Sequence, residues 1–376
     1  MFTGVGTRVG RKVAGLVNFV EAISLTGNLA SFSATGPAAN IAAALVPKGL
    51  SGVQGTTSGN ARADYSVDWQ LSRSNVAYVA AGQYSVIGGG KDNRTAGVYN
   101  TISGGLNNQL AGNTDYGFIG GGSSNGITNV GGSAGNNAIC GGGSNIISSA
   151  FFNNYIGGGN ANTISAGAYA TISGGTINSV SGVSASIGGG STNTASSLSA
   201  TIPGGTSVTA DGSYSHASGY RSHTLGMYGV RVYASGYYAA SEYAQDIDLI
   251  VRATTTDATQ ATLTSDAAAA STTNQLVLLN SSAYQVEGQV IARQNTTGDC
   301  SAWKFSALVK RGANAAATAI VGSVTTTAVA NDTNAATWAL AVDADTTNGA
   351  LRVQFTGEAA KTIRTTCTLH VVQTVG

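Results

Sequence analysis

The residues that could carry chemistry are few in this chain and thinly spread. Of 376 residues, 18 are Lys or Arg, 17 are Asp or Glu, three are His and three are Cys. Between Arg94 and Asp211 the single ionisable acid or base is Asp115. Glycoside hydrolysis generally needs two carboxylates, and a metal site needs clustered His, Cys, Asp or Glu. The long middle of the chain has material for neither, so we predict that it is structural.

Acids become more frequent toward the C-terminus, but they form no recognisable catalytic group. They include Glu287, Asp299, Asp332, Asp343, Asp345 and Glu358. Asp343 and Asp345 could lie in a loop that binds a divalent cation, although a solvated turn is the simpler interpretation. No Ser/His/Asp or Cys/His signature occurs. We therefore predict that the chain is not an enzyme and uses no cofactor and no metal.

Composition narrows the class of protein and its partners. The formal net charge is +1, only 9% of residues are charged, 42% are hydrophobic and 53 are Gly. This near-neutral balance predicts neither nucleic acid nor an acidic membrane surface as a partner. The aliphatic content argues against a disordered chain and favours a fibrous or all-β protein. We find no convincing export signal and no apolar run long enough to cross a bilayer, so no membrane insertion is expected.

The element that must position these side chains is a repeat between residues 84 and 244. Its unit, which we call the Ile phrase, reads Ile-x-Gly-Gly and recurs every 15 to 20 residues. Eight isoleucines begin it: Ile87, Ile102, Ile119, Ile139, Ile156, Ile172, Ile187 and Ile202. An Asn stands six residues after each of the first seven, from Asn93 to Asn193, and a Tyr often stands three residues before. Decayed copies follow at Ala217 and Ala234.

The length of the repeat predicts its architecture. About 15 residues are too few for a helix pair or a propeller blade but suit one coil of a β-solenoid. Coils stack about 4.8 Å apart, so ten of them would form a rod of about 50 Å. We expect the isoleucines to fill its interior and the asparagines to form a hydrogen-bonded ladder. Because one thin coil encloses little interior, we predict that three chains bundle into a homotrimeric β-roll.

Histidine and cysteine leave alternatives open. His216 stands in the column just before the Ile position, so in a trimer three imidazoles could face the axis and hold an ion; a surface or packed histidine is the simpler interpretation. Cys140, Cys300 and Cys367 show no metal-ligand spacing. A Cys300–Cys367 disulfide is possible, but three buried thiols fit a protein assembled in a reducing cytoplasm better.

The flanking segments suggest four domains. Residues 1–55, with candidate helices over 13–25 and 38–45, would be an attachment segment that packs on a larger particle, or a flexible leader. Residues 56–83 would be a connector in which Trp69 caps the first coil, since Tyr65, Val67 and Trp69 alternate with polar residues. The shaft spans 84–244. Residues 245–376 contain about eight candidate strands separated by turn signals, which favours a β-sandwich, jelly-roll-like knob.

Loops on such a knob are the expected contact points with a partner. We single out three, represented by Thr296 and Asp299, by Arg311 and Asn314, and by Asn331 and Asn334. Trp303 and Trp338 are expected in the core of the domain.

The repeat resembles a known group of fibrous proteins. The Ile-x-Gly-Gly-x-x-Asn unit, followed by the segment Tyr214–Tyr220, is similar to the head repeats of trimeric autotransporter adhesins, which also occur in bacteriophage tail fibres and tailspikes. Segments 59–70 and 302–315 also look like phage fibre sequence. The resemblance covers residues 59–376. It implies a homotrimer and a virion protein, assembled in the host cytoplasm, whose N-terminus binds a baseplate, tail or collar protein.

Four functions are compatible with this resemblance. The leading hypothesis is a tail fibre whose C-terminal knob binds a host-surface glycan or protein. A polysaccharide-degrading tailspike and a collar or head decoration fibre without a receptor are alternatives. A bacterial autotransporter adhesin is disfavoured, since neither an export signal nor a membrane-anchoring C-terminal barrel is evident.

Overall fold

The computed structural model describes residues 62–376 apart from 71, 113, 129–133 and 239–243, together with the backbone of three short strands before residue 62. The chain divides into two compact units, 1–49 and 50–376. In the first unit, β1 (Phe19–Glu21) pairs antiparallel with β2 (Phe32–Ala34). The predicted helix over 13–25 is therefore wrong at 19–21, where Phe and Val favour a strand. The rest of that helix and the one over 38–45 lie outside the described residues.

From residue 50 to residue 234 the chain consists of very short strands. In chain order these are β3 (Val53–Gln54), β4 (Val67–Asp68), β5 (Val86–Ile87), β6 (Arg94–Thr95), β7 (Thr101–Ile102), β8 (Gln109–Ala111), β9 (Thr114–Asp115), β10 (Phe118–Ile119), β11 (Gly126–Thr128), β12 (Ala134–Gly135), β13 (Ala138–Ile139), β14 (Ile146–Ser148), β15 (Tyr155–Ile156), β16 (Thr163–Ile164), β17 (Thr171–Ile172), β18 (Ser179–Val180), β19 (Ser186–Ile187), β20 (Thr194–Ala195), β21 (Thr201–Ile202), β22 (Gly205–Thr206), β23 (Thr209–Ala210), β24 (His216–Tyr220) and β25 (Arg231–Ala234).

Most of these strands stack into two parallel sheets; β9 and β12 form a separate parallel pair, and β22 pairs with β24. The strands that begin each Ile phrase form the first sheet, which we call the phrase sheet: β3, β4, β5, β7, β10, β13, β15, β17, β19, β21, β24 and β25. The second sheet contains β6, β8, β11, β14, β16, β18, β20 and β23. The register places each isoleucine beside the isoleucine of the next coil, as with Ile102 and Ile119. The prediction of a β-solenoid is confirmed, with about ten turns.

The solenoid encloses two aliphatic columns. All eight phrase isoleucines are fully buried. Eight residues after seven of them stands a second buried aliphatic residue: Leu110, Ile127, Ile147, Ile164, Val180, Ala195 and Ala210. Both columns belong to one hydrophobic cluster. A single chain therefore supplies both walls of this core, and the sequence analysis had not identified the second wall.

Between the two columns runs a continuous ladder of buried asparagine side chains. The Oδ1 atom of Asn93 accepts a hydrogen bond from the backbone amide of Asn108 at 2.9 Å, and Asn108 does the same for Asn125 at 3.0 Å. The Nδ2 group of Asn108 donates to the carbonyls of Gly104 and Gly122, both at 3.0 Å. The pattern continues through Asn193. Each side chain thus satisfies polar groups of two successive coils.

Each coil also turns at residues in the left-handed backbone region. The tyrosines of the repeat occupy one such column, with φ of 57° at Tyr84 and 56° at Tyr99. Their rings stack on the outside of the shaft, 5.0 Å apart and within 4° of parallel. The glycine that ends each phrase permits close stacking: a Cβ on Gly105, where φ is 97°, would lie 2.2 Å from the carbonyl oxygen of Gly122.

The first described coil departs from the phrase. Asp68 takes the column position beside Ile87 and is fully buried, and its Oδ2 lies 3.1 Å from both Arg62 Nε and Arg73 Nη2. Gln70 begins the amide ladder by accepting from the Asn93 amide at 2.7 Å. Trp69 is 43% exposed, so the expectation that it caps the coil is wrong. Residues 65–70 do alternate between polar and apolar side chains. The polar ones face inward, because they occupy positions that buried residues take in the later coils.

After residue 243 most of the strands are longer, at 7 to 13 residues, although β27, β28 and β31 stay short. They are β26 (Ala244–Thr255), β27 (Gln260–Thr262), β28 (Leu276–Val277), β29 (Ser282–Gln294), β30 (Cys300–Arg311), β31 (Thr318–Ile320), β32 (Thr325–Asn331), β33 (Ala339–Asp345), β34 (Ala350–Thr356) and β35 (Ile363–Val375), with 3-10 turns at Ala315–Ala317 and Thr333–Ala335. Among the described residues, no helix is long and apolar enough to span a membrane.

The phrase sheet continues without a break into this C-terminal region. β25 pairs antiparallel with β26, and the sheet then runs through β35, β29 and β30 to β31 and β32. A smaller sheet contains β27, β28, β33 and β34. The two sheets share one core, in which Trp303 and Trp338 each meet Phe355 edge-on at 6.0 Å. The jelly-roll-like sandwich and the four domain boundaries expected from the sequence stay predictions.

Candidate receptor-contact surface

The long strands place the predicted contact loops on two opposite sides. β29 and β30 pair over their full length, so Gln294 and Cys300 lie at one side of the sheet and Ser282 and Arg311 at the other. We call these the far side and the shaft side. The shaft side is named for a depression that Arg311 and Val375 line together with Asp211 of the last coils. Of the six predicted contact residues, Thr296, Asp299, Asn331 and Asn334 lie at the far side, and Arg311 and Asn314 at the shaft side.

The far-side loops form one polar surface tied by hydrogen bonds. Asn334 Nδ2 donates to Asp299 Oδ1 at 3.3 Å, which joins the two predicted loops. Asp332 Oδ2 accepts from the Cys300 amide at 2.9 Å. Thr296, Asn331 and Asn334 are exposed. Hydroxyl, amide and carboxylate groups therefore point to solvent from a backbone that the long strands hold in place.

A third loop, which the sequence analysis did not single out, completes this surface. Lys361 Nζ donates to the backbone carbonyl of Asn334 at 3.3 Å and to Glu358 Oε2 at 2.7 Å. The hydrogen bond from Lys361 lowers the pKa of Glu358 below its usual value. Gly357, just before the turn at residues 359–360, was the available sequence signal. Asp299, Asp332 and Glu358 thus bring three carboxylates to the far side.

The side chains of Arg311 and Asn314, the other two predicted contact residues, form hydrogen bonds to backbone groups. Arg311 Nη1 donates to the backbone carbonyl of Leu278 at 2.7 Å, and its guanidinium lies close to Gly349. The Asn314 side chain accepts from the Ala317 amide at 3.2 Å and begins a 3-10 turn. Both side chains therefore hold neighbouring backbone segments. The structure does not bring them to the far-side surface.

His216 lies in the outer column of the phrase sheet, between Thr201 and Arg231. It is half-buried, and desolvation together with the charge of Arg231 lowers the pKa of its imidazole. A cation directly beside the ring opposes metal binding within one chain. The axial ion site at His216 stays a prediction for an assembled trimer.

A different group could ligate a metal, and the sequence analysis missed it. Asp246, Asp248 and His370 offer ligand atoms that all lie within 4.8 Å of one another. His370 Nδ1 lies 2.9 Å from Asp248 Oδ1, and this hydrogen bond raises the pKa of the imidazole. Arg231 Nη1 lies 3.5 Å from the other oxygen of Asp248. These side chains already pair with one another as ions, and the Asp-x-Asp spacing within a strand was their sequence signal.

The other acids that the sequence singled out have structural partners. Asp343 forms a two-pronged ion pair with Arg352, at 2.7 and 2.8 Å. Asp345 accepts from the backbone amides of Thr347 and Asn348 at 3.0 Å. Asp343 and Asp345 lie within β33 and Asp345 is buried, so the segment is not the solvated turn that the sequence suggested.

The three cysteines are free thiols. Cys367 is buried, and desolvation raises the pKa of its thiol to about 12, so it is chemically inert. Cys140 and Cys300 are exposed, against the expectation of three buried thiols. Cys300 and Cys367 lie on different strands, each paired with β29 at other positions, and the Cys300–Cys367 disulfide is not formed.

Comparison with solved structures returns phage tailspikes. Similar structures are the tailspike of Acinetobacter baumannii phage AM24 (9% identity, TM-score 0.20, covering 76% of this chain and 63% of that one) and tailspike gp49 of A. baumannii bacteriophage Fri1, described as a capsular polysaccharide depolymerase (7%, 0.20, 82% and 68%). The tailspike of Acinetobacter phage vB_ApiP_P1 also matches (7%, 0.17, 87% and 79%). This chain thus spans less than two thirds of the AM24 protein. No family model and no curated protein matches the chain.

These matches correct one prediction. The sequence analysis predicted that the chain is not an enzyme, and this is overturned by the finding that a matched tailspike is described as a depolymerase. Its premise also treated the C-terminal acids as ungrouped, whereas Asp299, Asp332 and Glu358 all lie at the far side of the C-terminal sheets. At TM-scores of 0.20 and below, the likeness by itself assigns no activity to this chain.

Proposed function

We propose that this chain is a subunit of a bacteriophage tail fibre or tailspike that binds a glycan on the host surface. In this proposal three copies form the fibre, residues 1–55 attach it to a baseplate, tail or collar protein, and the C-terminal region contacts the host. The protein is a virion component assembled in the host cytoplasm. A decoration fibre without a receptor is the alternative that the binding experiment below separates.

The observation that carries the proposal is the continuous sheet from shaft to C-terminal region. About ten coils with two buried aliphatic columns give a stiff rod, and the antiparallel pairing of β25 with β26 joins it rigidly to the long strands. A rod whose described coils carry few charges and no gathered carboxylates suits a spacer. The polar far-side surface then becomes the part with chemistry to offer a ligand.

The residue types at the far side suit carbohydrate. Sugar hydroxyls pair with amides, carboxylates and hydroxyls, which are the exposed groups of Thr296, Asn331 and Asn334 with Asp299. A single such contact is weak. Three copies on one rod, and several rods on one particle, raise the avidity by effective concentration.

The test is binding to a panel of purified bacterial capsular polysaccharides and lipopolysaccharides, measured by biolayer interferometry. We expect a saturable signal with at least one of them, and a drop of at least tenfold in affinity for the Thr296→Ala/Asn331→Ala variant. Asn314→Ala, on the shaft side, is the matched control and should bind like the parent. Equal binding by both variants would remove the far side as the contact surface, and no binding to any polysaccharide would favour a decoration role.

Glycan cleavage is the second candidate function. The observation that favours it is the group of three far-side carboxylates, Asp299, Asp332 and Glu358, because glycoside hydrolysis uses a pair. The same incubations should be assayed for newly formed reducing ends. If reducing ends appear, Asp332→Asn should abolish them without abolishing binding.

A further inference from the structure

Three adjoining depressions cross the outer face of the sheet formed by β26, β35, β29, β30 and β32. Their volumes are about 630, 350 and 160 Å³. The first and second share Gln289, Lys304 and Thr368, and the second and third share Ile291 and Ala302. Because each depression opens into the next, they form one channel, which we call the face groove.

The face groove follows β30 toward the far side. Its lining on β30 moves from Ser306 in the first depression to Ala302 in the second and Cys300 in the third. Six residues separate Ser306 from Cys300, which is about 20 Å along a strand. The third depression is also lined by Asn331 and Asp332, which belong to the far-side surface. The groove and that surface are therefore continuous.

We propose that the face groove binds an extended polysaccharide chain whose end reaches the far-side surface. This inference rests on the proposed glycan-binding function. It adds that the ligand is a stretch of polymer lying along the strands, and not a single terminal sugar.

The first depression offers polar groups in two neighbouring rows. Strand pairing places six of them side by side: His370, Glu287 and Ser306 in one row, and Thr368, Gln289 and Lys304 in the next. Glu287 and Lys304 lie diagonally across β29 and β30, both are exposed, and among the described residues neither forms an ion pair. A carboxylate that accepts hydrogen bonds, beside an ammonium and an amide that donate them, suits neighbouring sugar hydroxyls, each of which donates and accepts.

The charges of the groove narrow the kind of polysaccharide. Asp248 already pairs with His370, whose Nδ1 lies 2.9 Å from its Oδ1. The other charged side chains that line the three depressions are Glu287, Asp332 and Lys304. A polyanionic chain would place its own carboxylates beside these acids, at a cost in free energy. The groove therefore favours a chain of largely uncharged sugars.

The middle of the groove is apolar. Ile291 and Val329, each 55% exposed, line the second depression together with Ala302, whose small side chain leaves room between them. The register between β30 and β32 shifts between Ala302 and Trp303, and such a bulge bends a strand and re-aims its side chains. Sugar rings carry C–H groups on their faces and hydroxyls at their rims. An apolar middle between polar ends thus matches several rings in a row.

The test uses fragments, separated by length, of a polysaccharide that binds in the panel described above. Isothermal titration calorimetry with the full chain should show an affinity that rises at least tenfold from one repeat unit to fragments that fill the groove. Lys304→Ala should weaken binding of the long fragments at least fivefold. Lys310→Ala, which removes the same exposed side chain from the same strand outside the groove, is the matched control and should bind like the parent.

A blocking substitution tests the location in a second way. Thr368 lies where the first two depressions meet, so Thr368→Arg should weaken binding of the long fragments at least tenfold. Thr374→Arg changes another exposed threonine of β35, outside the groove, and should bind like the parent. Native mass spectrometry checks that both variants keep the assembly state of the parent.

The outcomes separate this inference from the proposed function. Glycan binding that does not increase with fragment length, or that neither Lys304→Ala nor Thr368→Arg weakens, would overturn the face groove and leave the function in place. The absence of binding to any polysaccharide would overturn both. A change of assembly state in Thr368→Arg would mean that another copy covers the face, which also overturns the groove. If only polyanionic chains bind, the choice of uncharged sugars is wrong.

Discussion

At the scale of single residues, Asp211 shows how the last coils are held. Its carboxylate accepts hydrogen bonds from the Gly226 amide at 2.7 Å and the Thr224 hydroxyl at 2.7 Å, and its Oδ2 lies 2.8 Å from His223 Nε2. Desolvation alone would raise the pKa of this carboxyl, but His223 and the two donors lower it to about 2. The ionised form is therefore the one that holds the turn between residues 211 and 226.

This gives a pH prediction with a definite sign. Because the folded pKa of Asp211 lies below its ordinary 3.8, the contact stabilises the fold above about pH 4 and is lost as pH falls toward 2. Asp211→Asn should lower stability at pH 7 by about 1 to 2 kcal/mol after screening, and the gap from the parent should close between pH 4 and 2. Thermal unfolding followed by circular dichroism at several pH values measures both.

The control is Asp257→Asn. Asp257 is exposed and accepts from the Thr259 amide, which an asparagine can also do. Its unfolding curve should follow the parent at every pH. A gap between Asp211→Asn and the parent that stays constant down to pH 2 would show that the carboxylate charge is irrelevant.

At the scale of the element, the coil depends on its asparagine as much as on its isoleucine. Asn145 Nδ2 donates to the carbonyls of Gly141 and Gly159 at 2.9 and 3.0 Å, and its Oδ1 accepts from the Asn162 amide at 3.0 Å. Asn145→Ala leaves these buried backbone groups without hydrogen-bond partners, so we expect the free energy of unfolding to fall by about 3 kcal/mol. Urea unfolding monitored by circular dichroism gives the shift in midpoint.

Asn160 is the matched control for this substitution. It lies in the next coil, its side chain is exposed, and only its backbone takes part in the stack. Asn160→Ala should leave the midpoint unchanged. Equal midpoints for the two variants would mean that the ladder contributes nothing to stability.

The coil is also where the sequence was most informative. Regular spacing predicted the solenoid because stacked coils repeat their environment, so Ile and Asn recur where the same neighbours recur. The second aliphatic column escaped notice because it varies from Leu110 to Ala210. The alternation around Trp69 predicted that the aromatic side faces inward. The polar side does so instead, because the position of a residue in the stacked coil, and not its hydrophobicity, decides which side is buried.

The remaining features that the sequence did not predict depend on the register between strands distant in sequence. About eight strands were expected over residues 245–376, and the described residues there form ten, β26 to β35. No local pattern reveals that His370 pairs with Asp248 across 122 residues, or that Asn314 and Asn331 lie on opposite sides. Such neighbours depend on the pairing of strands distant in sequence.

At the scale of the whole molecule, a solenoid is a one-dimensional stack whose ends and middle respond differently to damage. At its N-terminal end Asp68 is buried between Arg62 and Arg73, and its side chain also accepts from the Ala80 and Gln70 amides at 3.3 and 3.2 Å. In its middle, Ile156 is fully buried between Ile139 and Ile172. The two residues occupy the same column.

We expect substitutions at these two positions to destabilise different lengths of the shaft. Asp68→Ala leaves two buried cations without their carboxylate, a cost of about 3 to 5 kcal/mol, but only the coils next to it can open in response. Ile156→Ala creates a cavity costing about 2 to 5 kcal/mol in a coil that has a partner on each side, so it weakens the stack in both directions. Hydrogen exchange read by mass spectrometry should therefore show lost protection confined to residues 62–95 for Asp68→Ala, and extending on both sides of residue 156 for Ile156→Ala.

Ile177→Ala, at an exposed position with a left-handed φ of 57°, should exchange like the parent. Loss of protection along the entire shaft after Asp68→Ala would mean that the rod unfolds as one cooperative unit, with its ends as important as its middle.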